Sequence, residues 1–345
     1  MSTNKFGLWA AMALILAPLA GAQSYTITDI AEVGLSAYEP QGAINDHGAI
    51  AGTFINGNNL SQAFLWTAKT GVRDLGFLPG FDESVATHIN NAGHVVGYSA
   101  SSTTGLAHAF LWTQTGGMQD LGTLPGGNAS YAYGVNESDQ VVGYSYIDDL
   151  GQLYHAFLWT ANTGMQDLGT LGGLSSNAAA VNQSGIVVGS SYLLGDAGPY
   201  HAFAWTQAGG MEDLGVLGVG TYSGASAINT PGEIVGFSAF THTGSEIRPF
   251  YWTQAIGMRA LDNVYSAAAS VNDSGAIVGS EPARGRLSAS FLWTQANQYQ
   301  NLNNLIPPNS GWDIQLARGI NSSGQIMATG TYQARTHAAL LTPTN

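Results

Sequence analysis

Ala180-Val181-Asn182-Gln183-Ser184-Gly185-Ile186-Val187-Val188-Gly189-Ser190 places two short runs of strand-forming residues on either side of Asn-Gln-Ser-Gly. Asn followed by Gly three residues later is the chemistry of a tight hairpin turn whose later residue takes positive φ. The stretch recurs. Its Asn is found at Asn45, Asn90, Asn136, Asn182, Asn229, Asn272 and Asn321, with spacings of 45, 46, 46, 47, 43 and 49 residues. Three residues on stands Gly48, Gly93, Gly185, Gly232, Gly275 or Gly324, with Asp139 the one departure. Seven residues on stands Gly52, Gly97, Gly143, Gly189, Gly236 or Gly279, replaced by Ala328 in the last copy. A second landmark keeps the same register: Trp66, Trp112, Trp159, Trp205, Trp252 and Trp293, with Leu341 in the seventh place. Seven units of about 46 residues are the length of a four-stranded propeller repeat.

Within a unit the hydrophobic period is two. In the third copy the spacing predicts strands over Met118 to Gly122, Tyr131 to Asn136, Gln140 to Tyr146 and His155 to Thr160, each bounded by turn residues. The chain ends decide between an open solenoid and a ring. Tyr25-Thr26-Ile27-Thr28-Asp29-Ile30 aligns with the Met118 strand, and His337 to Thr342 aligns with the His155 strand. If the Val-Asn strand is innermost and each outer strand comes from the following repeat, the last blade lacks one strand and the N-terminus supplies it. An open array would need polar caps. The expected fold is all-β: a seven-bladed β-propeller of four-stranded blades closed by the N-terminal strand.

His108-Ala109-Phe110-Leu111-Trp112-Thr113, Gly164-Met165-Gln166-Asp167-Leu168-Gly169 and the Ala180 to Ser190 stretch resemble the HAF-family probable extracellular repeat proteins of bacteria. The likeness covers residues 25 to 342 and weakens in copies five to seven, where Arg248-Pro249-Phe250 and Ala289-Ser290-Phe291 lack His-Ala-Phe and where Ala260 and Asn301 replace the Asp. It implies an exported repeat protein and carries over no catalytic residue.

Export is also read from the residues themselves. Lys5, an apolar run from Phe6 to Ala17 and Ala20-Gly21-Ala22 form the charged, apolar and cleavage segments of a signal peptide over residues 1–22. The run is too short to span a bilayer. Residues 23–345 are then one propeller domain, extracellular or periplasmic, without membrane insertion and monomeric. The whole chain carries 9 Lys+Arg against 22 Asp+Glu, a net charge of −13, with only 9% charged residues and no Cys. Nucleic acid is a poor partner for such a surface. Disulfides, thiol catalysis and Cys-ligated metals are excluded.

The recurrent residues read first as structure. The seven Asn and the set Asp29, Asp74, Asp120, Asp167 and Asp213 suit backbone donors at turns and strand ends. The Trp set suits inter-blade core. His108, His155, His201 and His337 share one position, dispersed around a ring, which suits an inter-blade hydrogen bond rather than a metal. No cofactor, metal or catalytic residue is expected. Chemistry is left to the variable loops: Phe81, Asp82, Glu83, Asn128, Tyr131, Asn177, Tyr222, Tyr265, Trp312 and Asp313 between blades, and Asp148, Asp149, Tyr154, Asp196, Tyr200, Glu246, Arg248, Arg284 and Arg286 within them. Phe81, Asp82, Glu83, Tyr131, Tyr222, Tyr265, Trp312 and Asp313 are the candidate ligand residues. Rings, amides and carboxylates suit an extracellular glycan or protein partner. Two alternatives stand: a polysaccharide hydrolase or lyase drawing its carboxylates from Asp82, Glu83, Asp148, Asp149, Glu246 and Asp313, or a purely structural scaffold. The first expectation to test is export: secretion from a Gram-negative host yields a protein whose intact mass begins at Gln23. Recovery only from the cytoplasm with Met1 retained would contradict it.

Overall fold

Each repeat becomes an antiparallel four-stranded sheet in the computed structural model, which describes residues 23–32, 42–195, 198–240, 247–262, 265–281 and 289–344. The export segment, Asp196, Glu246, Arg284 and Arg286 lie outside the described residues. In the third blade the strands are Ser130–Val135, Val141–Tyr146, Tyr154–Thr160 and Gly164–Asp167, hydrogen-bonded in that order from inner to outer. Seven such sheets form a seven-bladed β-propeller. In the seventh, Trp312–Ile320 is innermost and Arg335–Thr344 is flanked on its outer side by Ser24–Glu32. That N-terminal strand pairs Ile27 with Leu341 and Asp29 with Ala339. Asp29 and Glu32 add bonds to His337 and Arg335 across the same seam.

The turn residue three after each Asn takes positive φ as the pattern requires, including Asp139 at φ 56°. The cost of that conformation in a non-glycine residue is offset locally. Asp139 accepts from His94 Nδ1 at 2.7 Å and from Asn90 Nδ2 at 3.1 Å. The glycine seven after each Asn has a different cause. In the second to sixth blades the inner strand carries a register shift opposite it, as between Ala132 and Gly134, and the backbones crowd there. A Cβ on Gly143 would lie 1.9 Å from Tyr131 O. The seventh blade keeps this shift opposite Ala328 but adds a second one between Ile314 and Leu316, and there Gly330 takes the close approach, with Asp313 O 2.3 Å from where its Cβ would be.

The core is divided among the seams between blades. Seven buried clusters each draw on two neighbouring blades; in one, Val96, Ala109 and Leu111 of the second blade meet Val135, Phe157 and Trp159 of the third. Trp66, Trp112, Trp159 and Trp205 are buried in such seams, and Trp252 and Trp293 pack against theirs half-buried. Leu341 fills the corresponding place between the sixth and seventh blades.

Polar groups cross the seams as well. Asn182 Oδ1 accepts from the backbone N–H groups of Ser184 and Ile186, capping its own turn, while its Nδ2 donates to Asn229 O in the next blade. All seven Asn repeat that second bond at 2.9–3.2 Å, and Asn321 donates to Asn45 O, so the series closes on itself. Ser84, Ser130, Ser176 and Ser223 form a second set of clamps. Each accepts from the third strand of the preceding blade and donates to a carbonyl after its outer strand, as Ser130 does between Ala109 N at 2.9 Å and Gly122 O at 2.6 Å.

Candidate functional site

The up-and-down course of each blade sorts its connections onto two faces. The Asn turns and the turns between third and outer strands lie on one; the loops between second and third strands and the inter-blade connections lie on the other. On the turn face the seven Asn and their neighbours line a cavity of about 270 Å³ at the channel end. Its polar groups are largely engaged. Besides the Asn ring, Asp46 Oδ1 accepts from Ser322 N at 2.8 Å, Glu137 Oε1 from Asn91 N at 2.8 Å and Asp273 Oδ1 from Thr230 N at 2.9 Å. Burial works against ionisation of Asp46, yet the bonds from Ser322 and Asn91 outweigh it and hold its pKa below the usual carboxylate value. His88 also lines this cavity; burial pushes its pKa down to about 4, so it is neutral at physiological pH.

On the loop face the candidate residues do not gather at one point; they are spread around the ring, and three of them anchor separate aromatic groups. Tyr131 packs with Tyr98 at 4.9 Å, Tyr144 at 4.8 Å and Tyr146 at 6.4 Å between centroids. Tyr154 extends the group, 5.1 Å from Tyr144. Tyr222 meets Tyr200 at 5.0 Å, which in turn meets Tyr192 at 5.6 Å. Trp312 stacks on Tyr332 at 4.9 Å, with His337 edge-on to both. Tyr98, Tyr144, Tyr146, Tyr192 and Tyr332 were not singled out by sequence reasoning; they stand on second strands next to the glycine and serine positions, where a ring reads as ordinary strand. Burial, with neighbouring phenols second, pushes the Tyr144 and Tyr200 hydroxyls above their usual pKa, so both are neutral donors.

The remaining candidates shape loops. Phe81 lies 5.3 Å from the His108 ring. Asp82 accepts from the backbone and hydroxyl of Ser102, which lower its pKa. Glu83 Oε1 accepts from Ser61 N at 3.1 Å, and Asp313 Oδ1 from Asn303 Nδ2 at 3.4 Å. Asp148 caps the backbone of Gln152 and Leu153, and Asn128 donates to Asp149 O. Asn177 accepts from Ser190, Tyr265 is half-buried before the sixth blade, and the Arg248 guanidinium lies over Phe240. The carboxylates considered for hydrolysis that are described thus each have a structural partner or a place in a loop-to-loop contact. Among the described residues no group of three or more His, Asp and Glu is placed to hold a metal ion.

The repeated His corrects the expectation of an inter-blade bond. Each pairs inside its own blade, from the start of the third strand to the end of the outer strand: His108 with Asp120, His155 with Asp167 and His201 with Asp213 at 2.8 Å, and His337 with Asp29 at 2.9 Å. The Asp carboxylates of the first four blades also accept from the glycine N–H two residues on, as expected of strand-end acids.

No family model and no curated protein matches the chain. Solved structures match in fold. A puromycin hydrolase superposes with a TM-score of 0.58 at 11% identity over 91% of this chain, which spans 55% of the hydrolase. The β-propeller domain of the trilobed protease from Pyrococcus furiosus gives 0.56 at 9% identity, over 90% of this chain and 95% of that one. The BP39L lectin from Burkholderia pseudomallei gives 0.52 at 9% identity, over 87% and 95%. At these identities the likeness is one of fold. The Pyrococcus domain has an open velcro topology, whereas here the N-terminal strand pairs with the C-terminal one.

The His108–Asp120 pair generates a pH prediction. Its hydrogen bond to Asp120 raises the His108 pKa against burial; burial opposes ionisation of Asp120, but the bonds from His108 and Gly122 lower its pKa. A raised His contributes stability below its unfolded value of about 6.5 and loses it as pH rises through the folded value; a lowered Asp contributes above about 3.9 and loses it as pH falls. The pair is therefore strongest between about pH 4 and 6.5. Because its carboxylate is well exposed, His108→Ala is expected to cost no more than about 1 kcal/mol at pH 5.5 and less at pH 8.5 in urea unfolding. An equal loss at both values would assign the residue to packing alone.

Proposed function

We propose that the protein is an exported, non-catalytic binding propeller that holds a glycan on its loop face. The observation that carries this reading is the grouping of half-buried rings there, Tyr131 with Tyr98, Tyr144 and Tyr146 above all, beside carboxylates and amides fixed by their own loops. A sugar lays its apolar face on such a ring and reaches nearby oxygen and nitrogen atoms through its hydroxyls. The neutral tyrosine hydroxyls can donate to ring or acetal oxygens. Every recurrent polar set has a structural partner, so the variable loops carry the chemistry. The Burkholderia pseudomallei neighbour is a lectin, which supports the reading as a precedent for the fold. Binding without turnover is the simplest use of rings whose neighbouring carboxylates, among the described residues, serve to hold their loops.

A polysaccharide array probed with residues 23–345 tests this, beside Tyr131→Ala, Tyr222→Ala and Trp312→Ala made singly. Loss of one stacking ring is expected to weaken binding by about tenfold, as an aromatic contact of roughly 1 kcal/mol with its buried area implies. If no glycan is held, or all three variants bind like the parent, the reading fails. Release of shortened oligosaccharides would replace it with the hydrolase or lyase alternative.

A further inference from the structure

Residues 74–247, which span the second to fourth blades and most of the fifth, contain 14 Asp and Glu and no Lys or Arg. The net charge of the chain is concentrated in that sector. On its loop face stand Asp120, Asp167 and Asp213 at the ends of outer strands, with Asp148 and Asp149 in the loop of the third blade. The histidines beside the first three are already paired with them.

The same face exposes large aliphatic side chains. Leu150 is 73% exposed, Leu194 78%, Val219 87% and Leu174 51%. All four are on loops that connect in sequence around the third to fifth blades. Tyr154 N donates to Ser175 Oγ, Gly173 N to Tyr192 O and Thr221 N to Ala239 O, so the loop of each blade rests on the connection beside it. Among described large apolar residues with comparable exposure, only Val72 and Ile256 stand away from this face; Phe77 and Leu106 lie on it too. Branched aliphatic tips give a sugar no flat surface to stack on. Such projecting tips fit between side chains of a protein partner.

We propose that this sector is a docking surface for a protein segment that carries both apolar and Lys/Arg side chains, as in a cationic amphipathic helix. Charge complementarity selects that occupant. The acids on this face, with no Lys or Arg between residues 74 and 247 to offset them, draw in a basic segment and repel acidic proteins and anionic lipid, while Leu150, Leu174, Leu194 and Val219 give the contact its apolar side chains. This inference is independent of the glycan reading, because it uses different residues and a different ligand chemistry.

The probe is a labelled 18-residue amphipathic peptide of Leu and Lys, compared by fluorescence anisotropy with a Ser/Lys and a Leu/Glu version. The Leu/Lys peptide is expected to bind at least tenfold more tightly than either, and more weakly as salt rises. The triple change Leu150→Ser/Leu194→Ser/Val219→Ser is expected to weaken it tenfold or more while melting at the parent temperature, and Asp149→Asn to weaken it by a smaller factor. Val72→Ser/Ile256→Ser, away from this face, is expected to leave binding unchanged. Equal binding of the Leu/Lys and Ser/Lys peptides, or a triple variant that binds like the parent, would overturn the proposal by reducing it to charge alone. Binding to phosphatidylcholine vesicles in place of the peptide would overturn it in favour of a lipid surface.

Discussion

Seven amide side chains tie the inner ends of the blades into a closed circle. Each repeated Asn uses its oxygen inside its own turn and its nitrogen in the next blade, so one residue fixes both the hairpin and the angle to its neighbour. The turn cap fixes where the donor starts, and the donor adds a polar tie to the apolar seams and serine clamps that also hold neighbouring blades. Because Asn321 donates to Asn45 O, every blade is tied to a neighbour on both sides. Each of these carbonyls also accepts from the turn N–H three residues on, as Asn229 O does from Gly232, so one buried oxygen joins the turn of its own blade to the amide of the blade before it.

The outer parts follow from that constraint. Blades fixed at their inner ends fan outward, and the widening seams are filled by Trp, Phe and branched aliphatic residues in seven clusters. Serine clamps and the four His–Asp pairs hold the strands further out. The N-terminal strand completes the seventh sheet and leaves it no open third-strand edge. With the recurrent polar residues engaged in this way, the loop face alone is free to vary from repeat to repeat. It carries two chemistries, tyrosine rings at the strand ends and exposed aliphatic side chains beside acids on the loops of the third to fifth blades.

The architecture was legible because it is written seven times. Asn and Gly spacings identified the hairpins, the alignment of Tyr25 to Ile30 with the outer strands identified the closure, and Asp139 behaves as the turn residue its place implied. What stayed hidden depends on relative orientation. The turn-capping role of Asn was readable from its own neighbours, but its donor reaches a residue some 46 positions away across a seam. The His partner lay only 12 residues on, in the same blade, and was missed because a dispersed ring suggested contact with the next blade. The serine six residues before Asn90, Asn136, Asn182 and Asn229 recurs in plain view and was overlooked; a small hydroxyl inside a strand carries no period of its own. The ring clusters needed the pairing register, since Tyr131 faces Tyr144 only once the inner and second strands are aligned.

The substitution Asn182→Asp tests the central claim most directly, because Asp keeps an oxygen for Ser184 and Ile186 but cannot donate to Asn229 O when ionised. Unfolding in urea at pH 7 measures the difference from the parent. The closed-circle account predicts a loss of about 0.5 to 1.5 kcal/mol, the net worth of the cross-blade bond to a carbonyl that keeps its bond from Gly232 N, and a larger loss for Asn182→Ala, which also removes the turn cap. An Asp variant as stable as the parent, with only the Ala variant weakened, would show that turn capping is the whole of the residue's role and would contradict the account.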